Sequence, residues 1–349
     1  MKCSQIGEYD RSFDPHFSHL PEDFSFRTLS SLDFIKPDSI TFLKNKKLLS
    51  VFLQSEREKK IERAYLLVEK KFFTELKSSP EYDILSKTFS GMGTVDSIDL
   101  SMALLSLPFY RKKYGKTNDM VDGRQMGSAT IHPSADIAQQ VFIGEGVEVE
   151  ENVTIHPGSV VMAGCRIGKE TVIHPNVSVY YDVKIGPFCR IHSNTVIGSD
   201  GFGYRFHEGT QIKIWHLGGV VIEDHVEIGA NCSIDRGTFR DTIIGQGSKL
   251  DNAVHIGHNC VVGKGVIFCG QSALSGSVRV GDGVIFGGRS GVGHGAHIGA
   301  GCSLAGGTVT MKSWPEGQRL GGYPAMSLNE WLRSSVAIKK LITKEEKRD

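Results

Sequence analysis

Long apolar runs are missing from this 349-residue chain: none approaches the roughly 18 residues that a membrane-spanning helix needs. The opening residues Met1-Lys2-Cys3-Ser4 also lack the apolar core of a secretion signal. These two absences predict a soluble protein of the cytoplasm, with at most peripheral contact with a membrane. An excess of either charge is missing too. Forty basic residues stand against 39 acidic ones, a net charge of +1, so there is no global field to draw in a polyanion, and nucleic acid is not an expected partner. The seven cysteines are an odd number without paired spacing, which argues against a disulfide framework and against a zinc ribbon.

Glycine is what the chain has in excess, 41 residues of 349, against a usual share of about 7%. Most lie after residue 125, which prompts a search for internal repeats. Every sixth residue from Ile131 is aliphatic: Ile131, Ile137, Ile143, Val149, Ile155, Val161, Ile167, Ile173, Val179, Ile185, Ile191 and Ile197. A second register holds Ile222, Ile228 and Ile234, and a third runs from Ile244 through Ile256, Phe268, Val280 and Val292 to Leu304. Four residues after each of these positions the side chain is small or β-branched, and Cys165, Cys189, Cys232, Cys260 and Cys302 fall in that slot. They read as small buried hydrophobes. Glycine often follows the aliphatic, as at Gly144, Gly168 and Gly263, where a tight corner excludes a Cβ.

Six residues make one short strand and one corner, so three hexads close a triangular coil whose backbone pairs with the next coil. The pattern predicts a mainly β chain built on a parallel β-helix over 127–323, nearly nine coils spaced about 4.8 Å apart. Two interruptions, Ser199 to Val220 and Arg236 to Thr242, mark loops pushed out at corners, where a solenoid usually binds its ligands. Residues 1–110 are charged and glycine-poor. An extended stretch Ser39–Leu43, a helix near Leu48 to Glu62 and a strand Ala64–Val68 predict a small α/β domain there. Residues 111–126 read as a linker. Over 324–349, Leu328, Trp331, Leu332, Val336, Leu341 and Ile342 recur at the spacing of an amphipathic C-terminal helix.

A β-helix filled with aliphatics has no internal pocket, so chemistry must sit outside, most plausibly in a groove between prisms. His156, His174 and His192, spaced by 18, stack on one edge and read as corner packing. The segment Asp251-Asn252-Ala253-Val254-His255-Ile256-Gly257-His258-Asn259 gathers a carboxylate and two imidazoles. It is either a base with its orienting partner or a polar corner. One coil beyond His258 lies Gly276, whose N–H is open to a substrate oxyanion for want of a side chain.

The motifs Ser199-Asp200-Gly201-Phe202-Gly203-Tyr204, Val226-Glu227-Ile228-Gly229-Ala230-Asn231, Ile234-Asp235-Arg236-Gly237, Leu250-Asp251-Asn252 and Ile256-Gly257-His258-Asn259 resemble those of the UDP-3-O-acylglucosamine N-acyltransferases of lipid A synthesis, a hexapeptide-repeat family. The resemblance covers the whole β-helix and, more weakly, its flanks. It implies a left-handed coil, a homotrimer, and an acyl carrier protein thioester as donor with no separate cofactor. The implied acceptor is the 2-amino group of a UDP-linked 3-O-acylated glucosamine. It further implies His258 as general base with Asp251 as partner and Gly276 as oxyanion donor. Asp200, Phe202, Tyr204, His216, Asn252, His255 and His294 are the implied substrate contacts.

In the family a Phe-x-x-Asn-x-x-Tyr stretch holds the uridine; here Phe42 and Asn45 match, while Leu48 stands in place of the second aromatic. A second family histidine falls on Gly295, with His294 one residue earlier. The acyl chain is expected in an apolar groove near Gly306, Gly307 and Val309. Arg333, Lys339, Lys340 and Lys344 offer a basic face to an acidic carrier protein, or simply a solvated one. The rival readings are a sugar O-acyltransferase of the same repeat class, a trimeric zinc hydro-lyase and a non-catalytic scaffold. His258 and His294 are two coils apart, about 9.6 Å along the axis, too far for one ion held by one chain, so no metal is expected.

Overall fold

The computed structural model describes residues 1–54, 61, 63–114, 120–122, 128–322 and 327–345. The hexad pattern becomes three sheets of nine, ten and ten strands, most of them two residues long and all parallel except Met120–Asp122, which pairs antiparallel at the end of the third. The inward residues of the first face run Ile131, Val149, Ile167 and on to Ile298. Those of the second run from Ile137 to Leu320, and those of the third from Ile143 to Thr310. Each strand pairs in register with the strand one coil away, for example Val149 with Ile167 and Ile256 with Leu274. The prism continues past the last periodic aliphatic, through Val309–Thr310 and Arg319–Leu320.

The interior is one continuous column of aliphatics from Val141 to Leu304, with Phe268 and Phe286 stacked at 4.4 Å. The five slot cysteines lie inside it, and their thiols donate to carbonyls across a coil, as Cys165 does to Tyr180 O and Cys260 to Ser275 O. The corner glycines have a different cause from a turn of unusual φ. At Gly144, Gly168 and Gly263 a Cβ would strike the backbone of the next coil. The left-handed conformation falls two residues later, at Asn152, Asn176, Asn194, Asn231 and Asn259, where asparagine is among the side chains that best tolerate it.

The N-terminal region is a five-stranded sheet, parallel except for Asp14–Ser18, with the helices Lys46–Gln54, Lys70–Lys77, Pro80–Thr88 and Ile98–Tyr114. The last of these runs four residues into the stretch expected as linker, and residues 115–119 and 123–126 of that stretch lie outside the described ones. Residues 55–60 and 62 of the expected Leu48–Glu62 helix do so too. The C-terminal helix spans Leu328–Glu345; the side chains of Lys339, Lys340 and Lys344 are outside the described residues.

The N-terminal region closes on the two extruded loops of the prism. Leu217 and Phe239 from those loops enter its core beside Phe42, Tyr65 and Phe109. Arg240 pairs with Asp33, Lys113 with Asp182, and Trp215 N donates to Ser106 Oγ. Arg236 is wholly buried and ties the loops together, its Nε donating to Gly218 O and its Nη2 to Tyr181 O.

Candidate functional site

Both loops leave the prism at the same edge, the corner from the third face to the first: 200–219 between Val196–Ser199 and Val220–Ile222, and 236–241 between Ser233–Asp235 and Thr242–Ile244. The next three turns of that edge carry His258, Gly276 and His294. Thus one edge holds both loops and all three of these positions on consecutive coils.

His258 is half-buried, and its Nδ1 lies 2.8 Å from Asn259 Oδ1. That oxygen also accepts from Thr238 N and Thr238 Oγ1 of the second loop. A backbone N–H can only donate, so Asn259 Oδ1 is an acceptor and His258 Nδ1 carries the proton. Nε2 is left with a lone pair, the form a general base needs. The ring lies over Gly276, where an added Cβ would collide with Nε2, and the Gly276 N–H has no acceptor among the described residues. Burial lowers the His258 pKa below the ordinary histidine value; the Asn259 bond works the other way, and the charge of His294 adds to the lowering.

Two imidazoles flank the base. The His294 ring centroid is 6.2 Å from that of His258, nearer than the 9.6 Å of axial rise, because Gly276 between them has no side chain to hold them apart. On the other side His216 meets His258 edge to face at 5.3 Å. His216 is 0% exposed; its Nδ1 donates to Ile214 O and its Nε2 has no partner. Burial, then the His258 charge, press its pKa down to about 3, so it stays neutral.

Within one chain Asp251 does not reach His258. It lies on the opposite edge of the third face, where its carboxylate accepts from Gly270 N at 2.9 Å and Asn252 N at 2.7 Å and so braces neighbouring coils. Asn252 does the same for Ala230 N. The two are polar corner residues within one chain, beside the stacked ladder His156, His174 and His192. Phe42 lies in the core of the N-terminal region, 6% exposed, with one face of its ring stacked on Phe239 of the second loop. Asn45 accepts from Leu48 N at the start of the Lys46–Gln54 helix. Gly306 and Gly307 fall on the Asp251 edge, away from His258, whereas Val309 is on the third face and 69% exposed.

The first loop passes against the base at Gly201, where a Cβ would touch the His258 side chain, with Asp200 and Phe202 on either side in the chain. Asp200 pairs with Lys213 at 3.0 Å, and Lys213 also lies over the rings of Tyr204 and Trp215. Phe202 is 86% exposed at 5.0 Å from Tyr204. His255 points outward from the third face, with Nε2 3.8 Å from Asp235 Oδ2. Asp235 is 7% exposed; burial, then the charge of Asp200, raise its pKa to about 7 against the pull of a Ser199 hydrogen bond. Sequence reading missed Asn259 and Asp235, although both sit inside the motifs it quoted. Among the described residues no three His, Cys, Asp or Glu side chains are gathered as a metal would require, and no helix is long and apolar enough to cross a membrane.

A solenoid of hexads with a base, a free backbone N–H and extruded loops along one edge belongs to the hexapeptide-repeat class. A family model described as the hexapeptide repeat of succinyl-transferase matches residues 219–254 and 277–310, and one described as the GMPPB C-terminal domain matches 125–201. The UDP-3-O-acylglucosamine N-acyltransferase of Campylobacter lari is 46% identical over 245 residues, 70% of this chain and 74% of the relative. That of Helicobacter hepaticus is 43% identical over 153 residues, 44% of this chain and 47% of the relative; that of a Methylobacterium strain is 39% identical over 149 residues, 43% and 42%. The chain belongs to the UDP-3-O-acylglucosamine N-acyltransferase family. In the two latter alignments it spans less than half the length of the relative. A solved UDP-N-acetylglucosamine acyltransferase from Campylobacter jejuni is 26% identical, covering 53% of this chain and 69% of that one, with a TM-score of 0.44.

Proposed function

We propose that the chain moves a 3-hydroxyacyl group from a thioester on acyl carrier protein to the 2-amino group of a UDP-linked 3-O-acylated glucosamine, a step of lipid A synthesis in the cytoplasm. The observation that carries this reading is His258, its Nδ1 proton tied to Asn259 and its Nε2 lone pair standing over the open Gly276 N–H. As the amine attacks the thioester carbonyl a C–N bond forms and His258 Nε2 takes a proton from the nitrogen. Gly276 N–H donates to the tetrahedral oxyanion. On collapse the C–S bond breaks and His258 returns the proton to the thiolate. No resident cofactor is needed, since the donor brings its own activated ester. His294 lines the far side of the cleft, and Asp200, Phe202 and Tyr204 meet the acceptor from the loop side. Three copies packed side by side would form the clefts, with the exposed Ile267 and Ile285 of the second face available for contact. The C-terminal helix, with Arg333, is the proposed contact for the acidic carrier protein.

The acyl chain is proposed to run along the third face, where His255, Ala273, Gly291 and Val309 lie in register on successive coils. Ala273 and Gly291 leave a shallow channel about 14 Å long between His255 and Val309. A Cβ at Gly291 meets nothing closer than 3.8 Å, so Gly291→Val fills the channel without disturbing the coil. Incubation with 3-hydroxyacyl carrier proteins of graded length and UDP-3-O-acylglucosamine, read by mass analysis, tests both points. Wild type should give an amide product with a long chain. The Gly291→Val protein should prefer shorter chains, losing about fourfold per unaccommodated CH₂. Absence of any amide product from the wild type would overturn the function, and an unchanged length profile in the variant would overturn the channel.

A further inference from the structure

An amine acceptor raises a question of proton count that a hydroxyl acceptor does not. An amine next to an electron-withdrawing ring resembles an α-amino group, with a pKa of about 8, so at neutral pH it arrives mostly as an ammonium without a lone pair. The overall change is R–NH₃⁺ plus a thioester going to an amide, a thiol and H⁺. Two protons must leave the nitrogen. One goes through His258 to the departing thiolate; the other must be taken before attack and delivered to solvent. On the reading above, a single base would have to discharge the first proton to solvent before it could take the second.

Asp235 stands where the second acceptor is required. It ends the third-face strand Ser233–Asp235, and Ile234 pairs with Ile256, so the next position sets Asp235 against Gly257, the residue before His258. Its carboxyl is nearly enclosed, and it pairs across the strands with Ser199, past a register shift and just before the first loop. The groups facing it are Asp200 from that loop, itself held by Lys213, His255 from the next coil, and the enclosed thiol of Cys260. His255 is half-exposed and reaches solvent, so it connects Asp235 to water.

We propose that Asp235 accepts the first proton of the incoming ammonium and passes it through His255 to solvent, leaving a neutral amine for the step at His258. This rests on the amine-acylating reading. The carboxyl's raised affinity for protons, about 7, lies close to that of the amine it would discharge, so the transfer is nearly balanced in energy.

The experiment is kcat/KM for UDP-3-O-acylglucosamine from pH 6 to 9.5 for wild type, Asp235→Asn and His255→Gln, with saturating acyl carrier protein donor. Asp235→Asn should lose about five- to tenfold near pH 6.5, the ratio set by a carboxyl near 7 and an amine near 8, and less than about threefold at pH 9, where the acceptor is already neutral. His255→Gln should show the same slope with a smaller loss. A loss equal at every pH, or no loss, overturns the proposal. If Asp235→Asn does not fold, His255→Gln on the surface decides it, and a wild-type-like profile for that variant overturns it. Should wild type itself form no amide, the functional reading fails instead, and the two failures are told apart by that control.

Discussion

His258→Ala is expected to lower kcat/KM by about 10²- to 10⁴-fold, the range over which a positioned general base contributes, while leaving thermal stability near that of the wild type. Neither neighbouring imidazole can take over. His216 is enclosed, with its Nδ1 proton committed to Ile214 O, and His294 stands across Gly276 at 6.2 Å. The pH profile carries the same information. Because burial lowers the His258 pKa, the base is already neutral at pH 7, so its own limb in kcat/KM lies below the ordinary histidine value, and rate is lost as pH falls through it. The alanine variant should lose that limb along with the rate. Turnover within about threefold of wild type would remove His258 from the chemistry altogether.

Gly276→Ala should be nearly as damaging and is the more diagnostic. Gly276 does not adopt a left-handed φ, so alanine fits its backbone; the three atoms nearest the added methyl are Nε2, Cε1 and Cδ2 of the His258 imidazole. The ring must swing away from the amide N–H that is to bind the oxyanion. Loss of one such donor costs about 10²- to 10³-fold in kcat, and displacement of the base adds to it. Gly288→Ala provides the control, since its Cβ would find only an ordinary contact at 3.5 Å with Gly270 O on the opposite edge. The expected result is an inactive Gly276 variant and an active Gly288 variant with the same melting temperature. Full activity in the first would place the reaction elsewhere.

The site was legible in part. Both histidines and Gly276 are readable because each follows an inward aliphatic by two residues, which assigns all three to one edge. The same counting separates Asp251 from them: it follows Leu250 by one residue, at the corner between the second and third faces. Proximity in sequence suggested a pair that the hexad divides between two edges. The partner of His258 within the chain, Asn259, carries no charge and is fixed by Thr238 from a loop 21 residues earlier, which no spacing announces. The surroundings of Phe42 were hidden for a similar reason. Its stacking partner Phe239 lies in the second loop of the prism, and only the docking of the N-terminal region on that loop shows that one face of the ring is covered.

An aliphatic at every sixth position is a local code, because each coil touches only the coils on either side. The amino-acid sequence therefore determined the prism, its three faces, the edge from which the loops emerge and the buried place of five cysteines. Which nitrogen of His258 is free, how far its ring leans toward His294, and how deeply Asp235 and His216 are enclosed were decided by the tertiary structure. These depend on side-chain directions at corners and on contacts between segments up to about two hundred residues apart, where loop and domain packing set the burial and hydrogen bonding that tune each group.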